Sequence, residues 1–246
     1  MSDLSKYLFG VHPVVEALES GKKIEKVIFK QGVDNIQVHR IIEMLKSKEI
    51  PFQFIPLEKM NYIVKANHQG VIAYIAQVDY ADFETMVDDS LKQNSTPLFV
   101  LLDGVSDVRN FGAIARSAEC AGASGLILPA KGGAAVNSDA IKTSAGALLR
   151  IPTAKVTNLR LAVYYLKQSG FKIIAANEKS QNLLYNIDFK KPVAIIMGSE
   201  DKGVSDQLLA LADEQISIPM TGKIGSLNVS AAAAIVLFES VRQKLS

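Results

Sequence analysis

The sequence predicts an α/β protein in two parts: a small α/β unit, then a larger one built on a parallel sheet covered by helices on both faces. Three observations predict it. Near-continuous apolar segments at 98–102, "GLILP" (125–129), "FKIIAA" (171–176), "PVAIIMG" (192–198) and "EQISIP" (214–219) read as strands buried on both sides. Helical stretches alternate with them, at 110–121, 137–147, 158–169 and 204–211, and a last helix spans 227–244. A shorter alternating series fills the first 78 residues, about the smallest size that folds alone.

That first series reads in order. "GVHPVVEALES" is a helix, "KVIFK" a short strand, and "NIQVHRIIEMLKSKE" a helix with Asn35 as N-cap and Ile36, Ile41, Met44 and Leu45 on one face. "PFQFIP" alternates like a strand, "LEKMNYIV" is a short helix, and "GVIAYIAQV" is an apolar strand. Residues 79–96, "DYADFETMVDDSLKQNST", hold one Lys against five acids and read as an acidic linker. The expected division is therefore 1–78, linker 79–96, and 97–246.

Composition narrows the class. Among 246 residues, 48% are hydrophobic and 21% charged, as in soluble globular proteins. Cys120 is the single cysteine, so no intramolecular disulfide forms, in keeping with a reducing cytoplasm. The N-terminus carries charge and proline where a signal peptide needs an apolar run. The longest uncharged apolar stretch, Val229 to Phe238, is about half of a membrane span. A net charge of +2 suits an RNA partner without requiring one.

Several chemistries are excluded. His12, His39 and His68 all lie in the first 78 residues, so the larger unit has no histidine for a general base or a Ser-His-Asp triad. No spacing of Cys, His and carboxylates resembles a metal site. Neither a G-x-G-x-x-G after a strand nor a P-loop occurs, and the Gly-rich "AKGGAAVNSDAI" reads as a turn and helix cap.

In parallel sheets, ligands bind beyond the carboxyl ends of the strands. The unusual residues sit there: Asp103-Gly104, Gly198-Ser199-Glu200 and Pro219-Met220-Thr221-Gly222. "LDGVSDVRNFGAIARSAECAGASGLIL" (102–128) carries Asn110 and Arg116 on a helix behind a strand end, within two turns of one another. "IIMGSEDKGVS" (195–205) sets Glu200 between Gly198 and Gly203. "SIPMTGKIGSLNVSAAAAIVLFES" (217–240) joins a small polar loop, a buried-looking Asn228 and an Ala-rich helix. Singly, Asn110 reads as an N-cap, Arg116 as a surface cation and Glu200 as a first-turn acid.

Together and in this order, the three stretches resemble the motifs of the SpoU/TrmH (SPOUT) family of RNA ribose 2′-O-methyltransferases over residues 98–246. "GVHPVVEAL" and "NHQGVIA" resemble the ribosomal-protein-like RNA-binding domain of one branch, which includes the bacterial 23S rRNA guanosine 2′-O-methyltransferases. The resemblance implies a deep trefoil knot, a homodimer without a metal, and S-adenosylmethionine held at Gly198, Ile218, Met220 and Leu227. It implies catalytic roles for Asn110, Arg116, Glu200, Ser226 and Asn228, with Arg116 as activator of the 2′-hydroxyl. Where the family's first motif reads D-P-x-N, this chain has "DVRN", with Val108 in the proline's place. The implied substrate is 23S rRNA, contacted by His12, Lys22, Lys23, Lys26, His68 and Gln69. Two alternatives stand beside it: methylation of tRNA or another rRNA nucleoside, and a non-catalytic RNA-binding assembly factor.

Overall fold

The computed structural model describes residues 7–20, 23–75 and 78–245, and the chain divides into two compact units, Met1–Asp79 and Tyr80–Ser246. The first contains β1 (Tyr7–Phe9), α1 (Val11–Glu19), β2 (Ile24–Lys30), α2 (Ile36–Ser47), β3 (Phe52–Ile55), α3 (Leu57–Ile63) and β4 (Val71–Ile75). Its sheet runs β1-β4-β2-β3, with β3 parallel to β2 and β4 antiparallel to both β2 and β1. Val27, Phe29, Val71 and Ala73 point to one face and are buried by Val14 and Leu18 of α1 and Val38, Ile41 and Leu45 of α2. Ile28 and Ile72 point to the other face and meet Met60 and Val64.

Asn35 caps α2 as expected, its side chain accepting from Val38 N–H. The expected core position of Ile36 is corrected, because it is 88% exposed. At 100° per residue Ile36 stands about 200° from Val38, so the apolar stripe begins at Val38.

The second unit begins with α4 (Phe83–Gln93), so the expected linker at 79–96 is corrected as well. Ala81 N–H donates to Thr153 C=O at 2.9 Å, and Met86 and Val87 are buried in the core of the unit. The acids hid the helix: Asp82 caps it and Glu84, Asp88 and Asp89 lie along it, while Phe83, Met86, Val87 and Leu91 keep a helical period. Asp82 is its N-cap, accepting from Thr85 N–H at 3.0 Å.

The remaining elements are β5 (Leu98–Asp103), α5 (Val108–Cys120), β6 (Gly125–Pro129), α6 (Ser138–Thr143), β7 (Thr153–Val156), α7 (Leu159–Gln168), β8 (Lys172–Ala176), β9 (Val193–Gly198), α8 (Asp206–Leu209), β10 (Glu214–Ile216) and α9 (Val229–Leu245). All strands are parallel, in the order β10-β8-β9-β5-β6-β7. The most apolar strands, β5 and β9, are the central pair, and all six residues of β9 are buried. One face is covered by α4, α7 and α8, and on the other α5 packs against α6 and α9. The expected helix at 137–147 ends at Thr143, since Ala145 and Gly146 are both left-handed, at φ 51° and 84°.

If 80–96 belongs to the fold, a fragment of residues 97–246 is less stable than one of residues 80–246. Burial of Met86 and Val87 alone is worth about 1.5–3 kcal/mol each, so a deficit of roughly 3 kcal/mol or more is expected in urea unfolding. Equal midpoints would return the segment to linker status.

Candidate functional site

The register of the central pair builds the site. Asp103 of β5 lies opposite Gly198 of β9, so the two strands deliver their following loops side by side. After β9 the chain reverses at once: Ser199 N–H donates to Gly203 C=O at 3.2 Å, and Gly203 N–H donates to Ser199 C=O at 2.8 Å. The returning backbone comes so close to Gly198 that a Cβ there would lie 2.0 Å from Gly203 C and Val204 N. Gly203 closes the turn in the left-handed region, at φ 68°. Asp103 Oδ2 accepts from Ser205 N–H at 2.7 Å and ties the turn to β5. Glu200 is thereby presented at the tip, in solvent.

Asn110 sits in the first turn of α5. Asp107 caps that helix, its Oδ1 accepting from Arg109 and Asn110 N–H at 2.8 and 2.9 Å. Val108 is the first helical residue, a position where proline is favoured because its N–H has no intrahelical acceptor. The departure from D-P-x-N therefore costs no hydrogen bond.

Asn228 joins the stretches. Its C=O accepts from Ala232 N–H at 3.0 Å, and its Oδ1 from Ser230 N–H at 2.9 Å, so it caps α9. Its Nδ2 donates to Asn110 Oδ1 at 3.0 Å and to Glu200 Oε1. The expectation of a buried Asn228 is corrected: the residue is exposed, and its hydrogen bonds hold it. Beside this cluster lies a cleft of about 310 Å³ lined by Gly104, Ser106, Asp107, Asn110, Glu200 and Val229.

Ser226 and Arg116 stand apart from the cluster. Ser226 lies in the exposed loop before α9. Arg116 is six residues beyond Asn110 on α5, about 240° around the helix, so the two do not face the same cleft. Arg116 is exposed, and among the described residues it has no hydrogen bond or ion pair. Among the described residues no group of three His, Cys, Asp or Glu could hold a metal ion.

Of the four positions expected to hold S-adenosylmethionine, Gly198 is buried, Ile218 is half-buried, and Met220 and Leu227 are 40% and 39% exposed. Among the described residues, residues 218–227 make no hydrogen bond to the rest of the unit. This loop offers apolar surface together with unpaired backbone N–H and C=O groups, the two features an adenosine needs. The donor set fits the group.

The expected RNA contacts in the first unit are differently disposed. Lys22 lies outside the described residues. His12 and Gln69 are exposed. Lys23 Nζ is 2.8 Å from Asp79. Lys26 Nζ stands 4.4 Å from the Tyr74 ring centroid, where burial pulls the ammonium below its usual range against the opposing charge of Glu25. Burial, and then Tyr7, push the Tyr74 hydroxyl up to about 12.

His68 is corrected from a surface contact to a structural group, being 4% exposed. Gly70 N–H donates to its Nδ1 at 3.1 Å, and its Nε2–H donates to Asn61 Oδ1 at 2.9 Å. The sequence reading missed Lys30, Asn61 and Asn67, which share a cleft with Gln69. Only Asn67, within "NHQG", carried a local signal.

Residues 97–238 match the model of the SpoU rRNA methylase family, and residues 7–81 match that of the RNA 2′-O ribose methyltransferase substrate-binding domain. YacO of Bacillus subtilis, which carries a provisional TrmH family tRNA/rRNA methyltransferase name, is 32% identical over 244 residues, covering 99% of this chain and 98% of its own. An AdoMet-bound rRNA methyltransferase from Sinorhizobium meliloti superposes with a TM-score of 0.61 at 27% identity, over 99% of this chain and 90% of that one. The A. aeolicus TrmH/SpoU tRNA modifying enzyme aligns with 65% of this chain and 84% of its own, with a TM-score of 0.57 and 30% identity.

Two outcomes follow from the geometry. Asn228→Ala removes both the cap and the clasp, and a cap alone is worth about 1 kcal/mol, so thermal unfolding shifts down by at least that much. Asn228→Asp keeps the capping oxygen but turns a second oxygen onto Glu200 and Asn110. Hydrogen exchange in the first turn of α9 should therefore stay protected in the Asp variant and rise in the Ala variant.

For His68, burial holds the imidazole below its usual range. The unfolded chain binds the proton more readily. The contribution of neutral His68 is thus complete above about pH 6.5 and is lost as pH falls through the folded pKa. An NMR titration should place the His68 midpoint below that value, and a midpoint above it contradicts the buried placement.

Proposed function

This chain belongs to the SpoU rRNA methylase family, and on that premise we propose that it transfers a methyl group from S-adenosylmethionine to the ribose 2′-hydroxyl of a guanosine in 23S rRNA, in the cytoplasm and as a homodimer. The observation that carries the reading is the clasp of Asn110, Glu200 and Asn228 beside a loop whose backbone and apolar side chains are unpaired.

When bound, S-adenosylmethionine supplies an electrophilic methyl on a sulfonium. Gly198, Ile218, Met220 and Leu227 would hold it, Met220 and Leu227 covering apolar faces and the loop backbone meeting the polar edges. Asn110, Glu200 and Asn228 would shape the pocket that orients the ribose, with Ser226 contributing from the exposed loop before α9 once the loop closes on its ligand. Orientation alone supplies several kcal/mol of the barrier.

Arg116 as a literal base is costly, because a guanidinium with a reference pKa of roughly 12.5–13.8 would need about 1.36 kcal/mol for each unit down to neutrality. Exposed and without a hydrogen bond or ion pair among the described residues, it suits another role: gripping the phosphate beside the target from outside the cleft, where its positive charge would also favour the charge that develops on the ribose oxygen.

The first unit is read as the holder of the RNA. The match of residues 7–81 supports this. The tRNA-modifying neighbour aligns with a share close to the second unit alone, which favours rRNA for this two-unit chain. The tRNA/rRNA name of YacO keeps tRNA as the second reading. The homodimer rests on α9: Ala231, Ile235, Phe238 and Leu245 form an exposed stripe at spacings of four, three and seven, which a second copy would cover. No helix among the described residues is long and apolar enough to cross a membrane.

The test is transfer of tritium from labelled S-adenosylmethionine to unmodified 23S rRNA and to bulk unmodified tRNA, with mapping of the labelled ribose. Label in a 23S guanosine is expected, and label confined to tRNA would overturn the substrate. Arg116→Ala should lower transfer by about a hundredfold or more, as loss of a charge-stabilising donor does, with S-adenosylmethionine binding within twofold. Full activity in that variant would remove Arg116 from the mechanism.

A further inference from the structure

A cleft of about 420 Å³ in the first unit lies where β2 ends and the loop into β4 begins. Lys30, Asn61, Asn67 and Gln69 line it together with the apolar side chains of Val33 and Leu57. Backbone groups decide which atoms these side chains can show. Because Gly70 N–H occupies His68 Nδ1, the histidine proton sits on Nε2, and the bond from Nε2 takes the oxygen of Asn61. The amino group of Asn61 is left facing outward.

Gln69 is oriented by a second backbone group. The N-cap of α1 is Gly10, which has no side chain, and Val11 N–H instead donates to Gln69 Oε1 at 3.2 Å. The Gln69 amino group is thus also the outward end. Lys30, exposed at the end of β2, can only donate. With one oxygen bond already made in each amide, the unbonded ends of Asn61 and Gln69 are donors, and Lys30 adds a third.

We propose that this cleft reads an unpaired guanine of the RNA substrate through its O6/N7 edge, with Lys30 on the adjoining phosphate; the inference rests on the RNA methyltransferase reading above. Guanine is the base that carries two acceptors on that edge. Adenine and cytosine would set an amino group against the donors, and uracil offers a single acceptor there. The base must be unpaired, because the deep groove of an RNA helix hides this edge from side chains. Val33 and Leu57 supply apolar surface for its face.

The test uses the full chain and fluorescence anisotropy with two RNA decamers, one all adenosine and one with a single central guanosine. The guanosine decamer should bind about tenfold tighter, the discrimination typical of a good base-edge contact. Asn61→Asp and Gln69→Glu keep the oxygens that bond His68 and Val11 but replace each outward amino group with an oxygen. Both should abolish the preference for guanosine, whereas equal weakening of the two decamers would mean a charge effect and overturn base reading.

Replacing the guanosine by 7-deazaguanosine, with the unaltered protein, should also remove most of the preference. That comparison holds even if a variant folds poorly. A preference that survives both substitutions, or no preference at all, overturns the proposal. Calorimetric binding of S-adenosylmethionine separates the readings: if it persists while guanosine preference is absent, the cleft inference fails and the methyltransferase reading stands.

Discussion

One side chain closes the candidate site, that of Asn228. The three segments it joins are far apart in sequence, and they meet at two exposed residues, Glu200 and Asn228, and a half-buried one, Asn110, where apolar burial cannot hold them. What remains is hydrogen bonding, and Asn228 uses its carboxamide in full: the oxygen caps α9, and the nitrogen reaches Asn110 and Glu200. Such bonds contribute modestly one by one, about 1 kcal/mol each. They suffice here because the sheet beneath has already set the geometry. The Asp103–Gly198 register brings two strand ends together, and the Gly198–Gly203 reversal keeps Glu200 within reach.

Beyond the clasp the chain behaves differently. Residues 218–227 leave their backbone groups without hydrogen-bond partners among the described residues, and Met220, Ile224 and Leu227 stand in solvent. Unpaired backbone and exposed apolar surface are both unfavourable in an isolated unit. A bound ligand offsets both at once, with an apolar ring for the side chains and polar edges for the backbone. The buried strand β9, only a short turn away from the cleft, is the contrast: there the unit is organised for packing.

Much of this organisation was legible in the sequence. The central strands announced themselves because burial on both faces demands unbroken apolar runs, and Gly198 and Gly203 marked the reversal. Asn35 as a cap was legible for the same local reason. Where the structure departs from the sequence expectation, periodicity outweighs composition. The acids of α4 masked a helix whose apolar positions were regularly spaced, Ile36 was counted with a stripe it does not join, and Arg116 was placed with Asn110 by distance along the chain although the helix turns them apart. Asn228 looked buried because its neighbours are small and apolar, and nothing local reveals that partners 28 and 118 residues away hold it in the open. His68 follows the same pattern, since its role depends on Gly70 and Asn61.

The amides of the two units illustrate a common physical device. A carboxamide can face either way, so it reads a partner only when one end is committed. In the second unit Ser230 N–H commits the oxygen of Asn228, the nitrogen of Asn228 commits the oxygen of Asn110, and Asn110 is left with its donors free for the cleft. In the first unit Gly70 N–H commits His68, which commits Asn61. Each chain of commitments begins at a backbone N–H, whose direction the fold sets and no side-chain rotation can reverse. A lysine or glutamate in these places would bring charge but no directed edge. Polarity fixed through the backbone gives an exposed site selectivity that its modest burial could not supply.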